Sequence, residues 1–333
     1  MHESVLIPGD GIGPEVTEAA TRTIQATGAN INFIRFDIGE KTYKKSGEIV
    51  PAEVFEAMRK VKIALKGPVV VPIGSGMSSA NSILRRNLDL FASVRISKPL
   101  GRQCQVPERG LIVIKDNLGG HNLHLEHFVD RDETIAEAIL VTSMKDVKRL
   151  TDFAFDYCKQ NGRKKLTVVT LADGFKLTDG MWLRVAREVK DAFCDIEYEE
   201  LLADDATSKL ALKPWNFDVI LTNDIWGETL CSLCSALVGS AGMSPNVNVG
   251  NEVVMFETVH GAAPRIAGKN MANPTAAIFA GALLLKHLHE DAKAEAVERA
   301  LSSVISEGKV LTYDLGGKAT TTQFTDEVIS KIN

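Results

Sequence analysis

Nowhere in the 333 residues does an apolar run approach the ~20 needed to cross a bilayer, so no membrane partner is expected. Positive charge is not in excess either. The chain has 38 Lys and Arg against 43 Asp and Glu, a formal charge of −5 at pH 7. Phosphate backbones call for a net basic surface, so no nucleic-acid partner is expected. The five cysteines lack the paired spacing of a disulfide framework, which points to free thiols in a reducing compartment. Cys231 and Cys234 form a C-x-x-C, but in an apolar helical run without a second pair, where core packing is the expected role. Internal repeats, low-complexity tracts and long linkers are also missing. The opening MHESVLIPGDG enters a strand pattern at once, so neither a signal nor a transit peptide is expected. The expected location is the cytoplasm, or an organelle matrix after removal of a presequence.

What is present has an α/β rhythm. Short β-rich apolar runs over 4–8, 31–36, 62–72, 110–116, 164–172, 217–223 and 253–259 alternate with helical patterns. The helices are expected over 14–27, 51–61, 81–90, 134–161, 178–192, 228–237, 274–290 and 292–307. The length allows two domains, and without a linker they are expected to share a sheet and exchange strands.

The loops carry the chemistry. GDGIGPE (9–15) joins a strand to a helix, with Pro14 suited to the first helical turn. Its glycines miss the G-x-G-x-x-G spacing, and a plain turn is the stronger reading over a phosphate cradle. Ser79, Asn81 and Arg85 lie at a helix start, the last two on one face, and Arg95 ends a strand-like FASVR. Two guanidiniums with neutral donors suit a small polycarboxylate, although the same pattern fits a solvated basic face. HGAAPRIAGKNMANPTA (260–276) is rich in small residues that let backbone approach a flat ligand, with His260 and Asn273 placed to bond or stack on a base. KDNLGGHNLHLEH (115–127) sets His121, His124, Glu126 and His127 within seven positions, leaving open a metal site, a catalytic loop or the remnant of one.

LIPGDGIGPEV, the S-x-N-x-x-x-R…R segment, KLTDGMWLRVAREV, FDVILTN, ETVHGAAPRIAGKNMANPTA and DLGGKATTTQFTDEV together resemble the isocitrate and isopropylmalate dehydrogenases, in order along the whole chain. The resemblance implies that family's two-domain α/β fold, distinct from the Rossmann fold, and an obligate homodimer or heterodimer. It implies a large dinucleotide-binding domain over 1–98 plus 245–333, with 99–244 as the small, dimerising domain. It casts Ser79, Asn81, Arg85, Arg95 and Lys115 as the substrate clamp. His260, Gly261, Ala263, Pro264, Arg265 and Asn273 become the adenosine loop. Arg265 follows H-G-x-A-P where NAD-using members carry an aspartate, so NADP is expected over NAD.

The chemistry this family performs needs a divalent Mg²⁺ or Mn²⁺, a lysine base and a tyrosine acid. At the tyrosine's place stands Asn122, and at the lysine's place Leu171, beside Asp173. Neither Asn122 nor Leu171 titrates near neutrality. Lys115 replaces a third arginine, and Val70 and Val71 replace two threonines on the nicotinamide side. Of the metal carboxylates, Glu228 replaces the first, Ser232 the second, and Asp218 is read as the third, a set that would hold a hard cation weakly. Family sites are shared across the dimer, and this chain lacks the tyrosine for one site and the lysine for the other. A partner would not restore full chemistry at either. Glu126 and His127 match ordinary family positions, so only His121 and His124 are new, and a remnant loop is the favoured reading. The expected function is a polycarboxylate- and dinucleotide-binding homologue with impaired oxidative decarboxylation, regulatory or sensing in role, beside a second copy or an active relative. The alternative is a working dehydrogenase with reassigned groups.

Overall fold

The computed structural model describes residues 1–70 and 79–332, apart from the side chain of Lys41. The strands are β1 (His2–Ile7), β2 (Ile31–Arg35), β3 (Ile63–Lys66), β4 (Ala92–Ser97), β5 (Leu111–Asp116), β6 (Glu126–Phe128), β7 (Ala136–Ala138), β8 (Lys165–Thr170), β9 (Glu197–Leu202), β10 (Val219–Thr222), β11 (Pro245–Val249) and β12 (Val254–Thr258). The helices are α1 (Gly13–Ala26), α2 (Glu40–Ser46), α3 (Ala52–Val61), α4 (Ala80–Asn87), α5 (Met144–Gln160), α6 (Thr178–Lys190), α7 (Ala203–Leu212), α8 (Asp224–Leu237), α9 (Thr275–His287), α10 (Asp291–Glu307) and α11 (Thr321–Ser330). Among the described residues no helix is long and apolar enough to cross a membrane.

The chain forms two compact units. The first comprises Met1–Leu90, Ile96–Cys104 and Ser235–Asn333, and the second Phe91–Arg95 and Gln105–Cys234. In the first, the strand order is β2-β1-β3-β12-β11, parallel except where β11 runs against β12. Parallel strands covered by helices read as nearly continuous apolar runs, as SVLI and IAL do here. Val5, Ile7, Val54, Met58, Leu84 and Met255 form one core cluster under α3 and α4. Helix α9 is apolar on every side and packs against α1, α10, β11 and β12. Gly281 permits its close approach to α1, because an added Cβ would lie 3.0 Å from Ile24 Cδ1.

In the second unit β5, β10, β8 and β9 are parallel neighbours, with α5, α6 and α7 packed on them. Residues 134–161 do not form one helix. Glu126–Phe128 and Ala136–Ala138 pair as an antiparallel hairpin, and α5 starts at Met144 behind a Ser143 cap that accepts from the Asp146 N–H. That cap supplies the helix start the periodicity alone did not mark. The expected strand over 62–72 ends at Lys66, and its last residues, 71–72, lie outside the described residues, as does Val71. Helix α8 begins at Asp224, four residues before the expected start.

Candidate active site

In the first unit, Glu257 on β12 is the centre of a buried network. Its carboxylate accepts from Lys66 Nζ at 2.8 Å, Asn246 Nδ2 at 2.9 Å, Asn248 Nδ2 at 2.7 Å and Arg85 Nη2 at 3.4 Å. Register explains the convergence, since Glu257 faces Asn246 across the β11–β12 pair and Lys66 across β3. Burial alone would raise this carboxyl, but the charges of Lys66 and Arg85 outweigh it and hold Glu257 well below the usual carboxylate range. Helix α4 delivers Arg85. Its cap is Ser79, whose oxygen accepts from the Ser82 N–H at 3.0 Å, so this hydroxyl is committed to the helix start. Asn81 Oδ1 and Arg85 Nε are buried without a hydrogen-bond partner among the described residues.

In the second unit, Arg95 on β4 and Lys115 at the end of β5 converge on Glu228 of α8. Arg95 Nη2 donates to both Glu228 oxygens at 3.0 and 2.8 Å, and Lys115 Nζ lies 3.0 Å away. Beside them, the loop after β5 is tied to Asp224, the first residue of α8. The Asp224 carboxylate accepts the backbone N–H of His121 at 2.7 Å and of Asn122 at 3.3 Å, and pairs with His121 Nδ1. Its bond to Asp224 pushes the His121 imidazole up from its ordinary value. Burial pushes Asp224 up, and the hydrogen bond and charge of His121 more than offset this, leaving it lowered. Gly120 is required here: its φ is +60° and a Cβ would stand 2.2 Å from Asp224 Oδ1. Asp116 accepts the Leu118 and Gly119 N–H groups, so two carboxylates pin the turn from below.

The three histidines therefore do not converge. His121 pairs with Asp224, His127 bridges to Glu137 across the hairpin at 2.8 Å, and His124 takes a left-handed conformation. Among the described residues no three His, Cys, Asp or Glu side chains group as a metal site would require. Asp218, the expected third metal carboxylate, directly precedes β10 and is 1% exposed. It is saturated by Arg163 at 2.8 Å, Arg109 at 3.2 Å and the Lys164 N–H at 2.7 Å, and so anchors its own unit rather than facing a ligand. Ser232, one turn beyond Glu228, turns its hydroxyl to the Glu228 carbonyl. Leu171 donates its N–H to Asp179 at 2.6 Å, and Asp173 is exposed and bonded within its own turn, at the Gly174 N–H. Cys231 and Cys234 are core residues, as expected; burial pushes the Cys231 thiol up to about 11.

The 260–276 loop belongs to the first unit and is clamped at both ends. Ala262 accepts the Ile12 N–H, and Asn270 and Ala272 accept from Thr321. Asn273 donates to Asp314 at 2.9 Å and accepts from the Thr275 N–H, so its amide stabilises the loop rather than lying open to a base. His260 Nε2 is buried without a partner among the described residues, and burial lowers its imidazole. Gly261, Pro264 and Arg265 are exposed, and Ala263 has a left-handed φ of +41°. The glycines of GDGIGPE serve this packing. A Cβ on Gly9 would strike the Pro68 carbonyl at 2.0 Å, and one on Gly11 the Ala262 carbonyl at 1.9 Å, so the plain-turn reading accounts for both. Sequence reasoning missed Glu257, Lys66 and Asp224. The signal for the first two was a charge set inside a buried parallel strand, which calls for a partner.

Each unit carries a mostly parallel sheet covered by helices, the first with the clamped loop of small residues and the buried Lys66–Glu257 pair. The chain belongs to the isocitrate/isopropylmalate dehydrogenase family, whose description it matches over residues 4–328. It is 37% identical over 327 residues to the Arabidopsis thaliana protein named isocitrate dehydrogenase [NAD] catalytic subunit 5, mitochondrial, spanning 98% of this chain and 87% of that protein. It is also 37% identical over 335 residues to a Dictyostelium discoideum protein named as a regulatory subunit of mitochondrial isocitrate dehydrogenase [NAD], spanning 100% of this chain and 92% of the relative. Its structure superposes on the crystal structure of isocitrate dehydrogenase from Methylococcus capsulatus with a TM-score of 0.96, at 36% identity, covering 100% of this chain and 99% of that one.

Proposed function

We propose that this chain is a ligand-binding member of its family whose own metal-dependent oxidative decarboxylation is impaired or absent. It holds a small malate-type polycarboxylate on the residues that the family resemblance casts as the clamp, Asn81, Arg85, Arg95 and Lys115, with Ser79 capping the helix that carries the first two. A dinucleotide, NADP in preference to NAD, rests on the 260–276 loop of the larger domain (1–98 plus 245–333). The observation that carries the reading is Glu228. The carboxylate at a metal-ligand position faces Arg95 and Lys115, which makes a poor seat for a third cation. With Asp218 sealed and Ser232 turned to its own helix, the residues present do not fit Mg²⁺ or Mn²⁺. Asn122 and Leu171 add nothing that exchanges a proton.

A regulatory or sensing role beside a second copy or an active relative draws support from the relative whose name makes it regulatory. The 126–138 hairpin supports a partner as well: Phe128, Val129 and Ile135 are 53%, 56% and 57% exposed on a two-stranded piece that is marginal alone. The mitochondrial names among the relatives favour an organelle matrix over the cytoplasm. A second reading has one observation behind it. A ring held by a buried carboxylate, as His121 is by Asp224, is the arrangement that makes an imidazole a general base, so a dehydrogenase with reassigned groups would use His121.

The test is a steady-state assay of the purified protein with Mg²⁺ or Mn²⁺, both dinucleotides and a panel of 2-hydroxy polycarboxylates. Turnover well below about 1 s⁻¹ is expected, and turnover at that level overturns the proposal. Calorimetry with citrate, isocitrate and isopropylmalate should show binding that Arg85→Ala removes.

A further inference from the structure

Glu228 differs from the cations it meets in one respect. Lys115 and Arg95 have side-chain exposures of 1% and 12%, whereas Glu228 is 43% exposed. The cations are fixed from behind. Lys115 ends a central strand and its stem lies flat on Gly227, where an added Cβ would come within 2.6 Å of Lys115 Cβ and Cδ. Arg95 issues from β4. Glu228 stands on a helix with solvent on its outer side, and three rotatable bonds let its carboxylate swing away while the cations stay. Arg95 Nη2 donates to both of its oxygens.

We propose that Glu228 is a built-in carboxylate ligand that occupies the Arg95–Lys115 anion subsite and must be displaced by an incoming carboxylate. This rests on the polycarboxylate reading of the same site and adds its regulation. The chain competes with its own ligand, so affinity is set by how readily one exposed side chain lets go. A carboxylate-bearing small molecule displaces Glu228 into water, where its charge is solvated. A neutral analogue of the same shape cannot. The counterpart in the other unit, Glu257, is held by Lys66, Asn246, Asn248 and Arg85 and is 3% exposed, which makes it a fixed part of the core.

The experiment measures citrate and isocitrate binding by calorimetry in EDTA for the wild type, Glu228→Gln and Glu228→Asp. Glu228→Gln keeps the shape and removes the charge, and binding should tighten by about tenfold, equivalent to ~1.4 kcal/mol. Glu228→Asp keeps the charge with a shorter reach and should tighten binding too, which separates occupancy of the subsite from simple repulsion. If the wild type binds and neither variant binds more tightly, the inference is overturned while the polycarboxylate reading stands. If none of the three proteins binds either acid, that reading falls, and a second measurement still decides the inference. Glu228→Ala leaves the two cations one carboxylate short, so its melting temperature should recover in sodium formate beyond that in matched sodium chloride. Equal curves in the two salts overturn it.

Discussion

The Lys66 ammonium stands 2.8 Å from the Glu257 carboxylate, with side-chain exposures of 1% and 4%. A buried pair of this kind is weak evidence of net stability, but breaking it strands a charge. Glu257→Gln is expected to cost about 3–5 kcal/mol, read as a lower denaturant midpoint with an unchanged slope. Replacing both partners with apolar residues should cost less than either single change. Because the Glu257 carboxyl is held low, its contribution is present above the ordinary glutamate pKa of about 4.3 and is lost as pH falls toward its folded value. Glu257→Gln should therefore flatten the acid limb of the stability profile.

His121 and Asp224 give a second pH dependence, of opposite sense at its alkaline end. His121 is raised, so its contribution is full below the ordinary histidine value of about 6.5 and disappears as pH rises through the folded value. Asp224 is lowered, so its contribution exists above the ordinary aspartate value of about 3.9 and is lost in acid. The loop at 119–124 should be best protected from amide exchange at mildly acidic pH and should loosen above neutrality. With Asp224→Asn, a proton NMR titration should move the His121 midpoint down, because the partner that raises it is gone. An unmoved midpoint would refute the pairing.

Arg265 is exposed at the place where the resemblance sets the ribose contact. A guanidinium suits a 2′-phosphate and offers no acceptor to a bare 2′-hydroxyl. NADPH should bind more tightly than NADH, and Arg265→Asp should weaken NADPH by about tenfold or more, the scale of one charge-assisted hydrogen bond. Fluorescence titration of both reduced dinucleotides checks this, and an Arg265→Asp protein with the same preference would remove the assignment.

These sites differ in how far the sequence could have disclosed them. The parallel strands β1, β5, β8, β10 and β12 were legible because burial on both faces leaves continuous apolar runs. Strand β9, EYEELL, was not: its glutamates pair with Lys165 and Arg187 and hide the apolar signal. The short helices α2, α7 and α11 were missed for the same reason, having few buried positions each. At the candidate site, the residue types at Asn122, Leu171 and Glu228 departed from what the family resemblance implies there. They could not show that Glu228 turns onto Arg95 and Lys115, or that Asp224 grips the histidine loop. Those are facts of register and helix phase, which bring together positions more than a hundred residues apart, as with Arg95 and Glu228.

The last prediction concerns the acid and base positions that the family resemblance assigns to Asn122 and Leu171. Asn122→Tyr with Leu171→Lys restores both groups that the family resemblance requires, and in a homodimer each shared site would receive one from either protomer. Proton transfer by a positioned side chain is worth about 10²–10⁴-fold. If the chain is a relic of a dehydrogenase, the double variant should turn over isocitrate faster than the wild type, and adding Glu228→Asp with Ser232→Asp should raise the rate again in Mg²⁺ or Mn²⁺. If His121 has instead become the base of a reassigned reaction, Asn122→Tyr places a bulky ring beside its loop and the native turnover should drop, while His121→Gln should abolish it. A rate that rises with the restored pair and ignores His121→Gln supports the impaired homologue. A rate that falls with both establishes a repurposed enzyme.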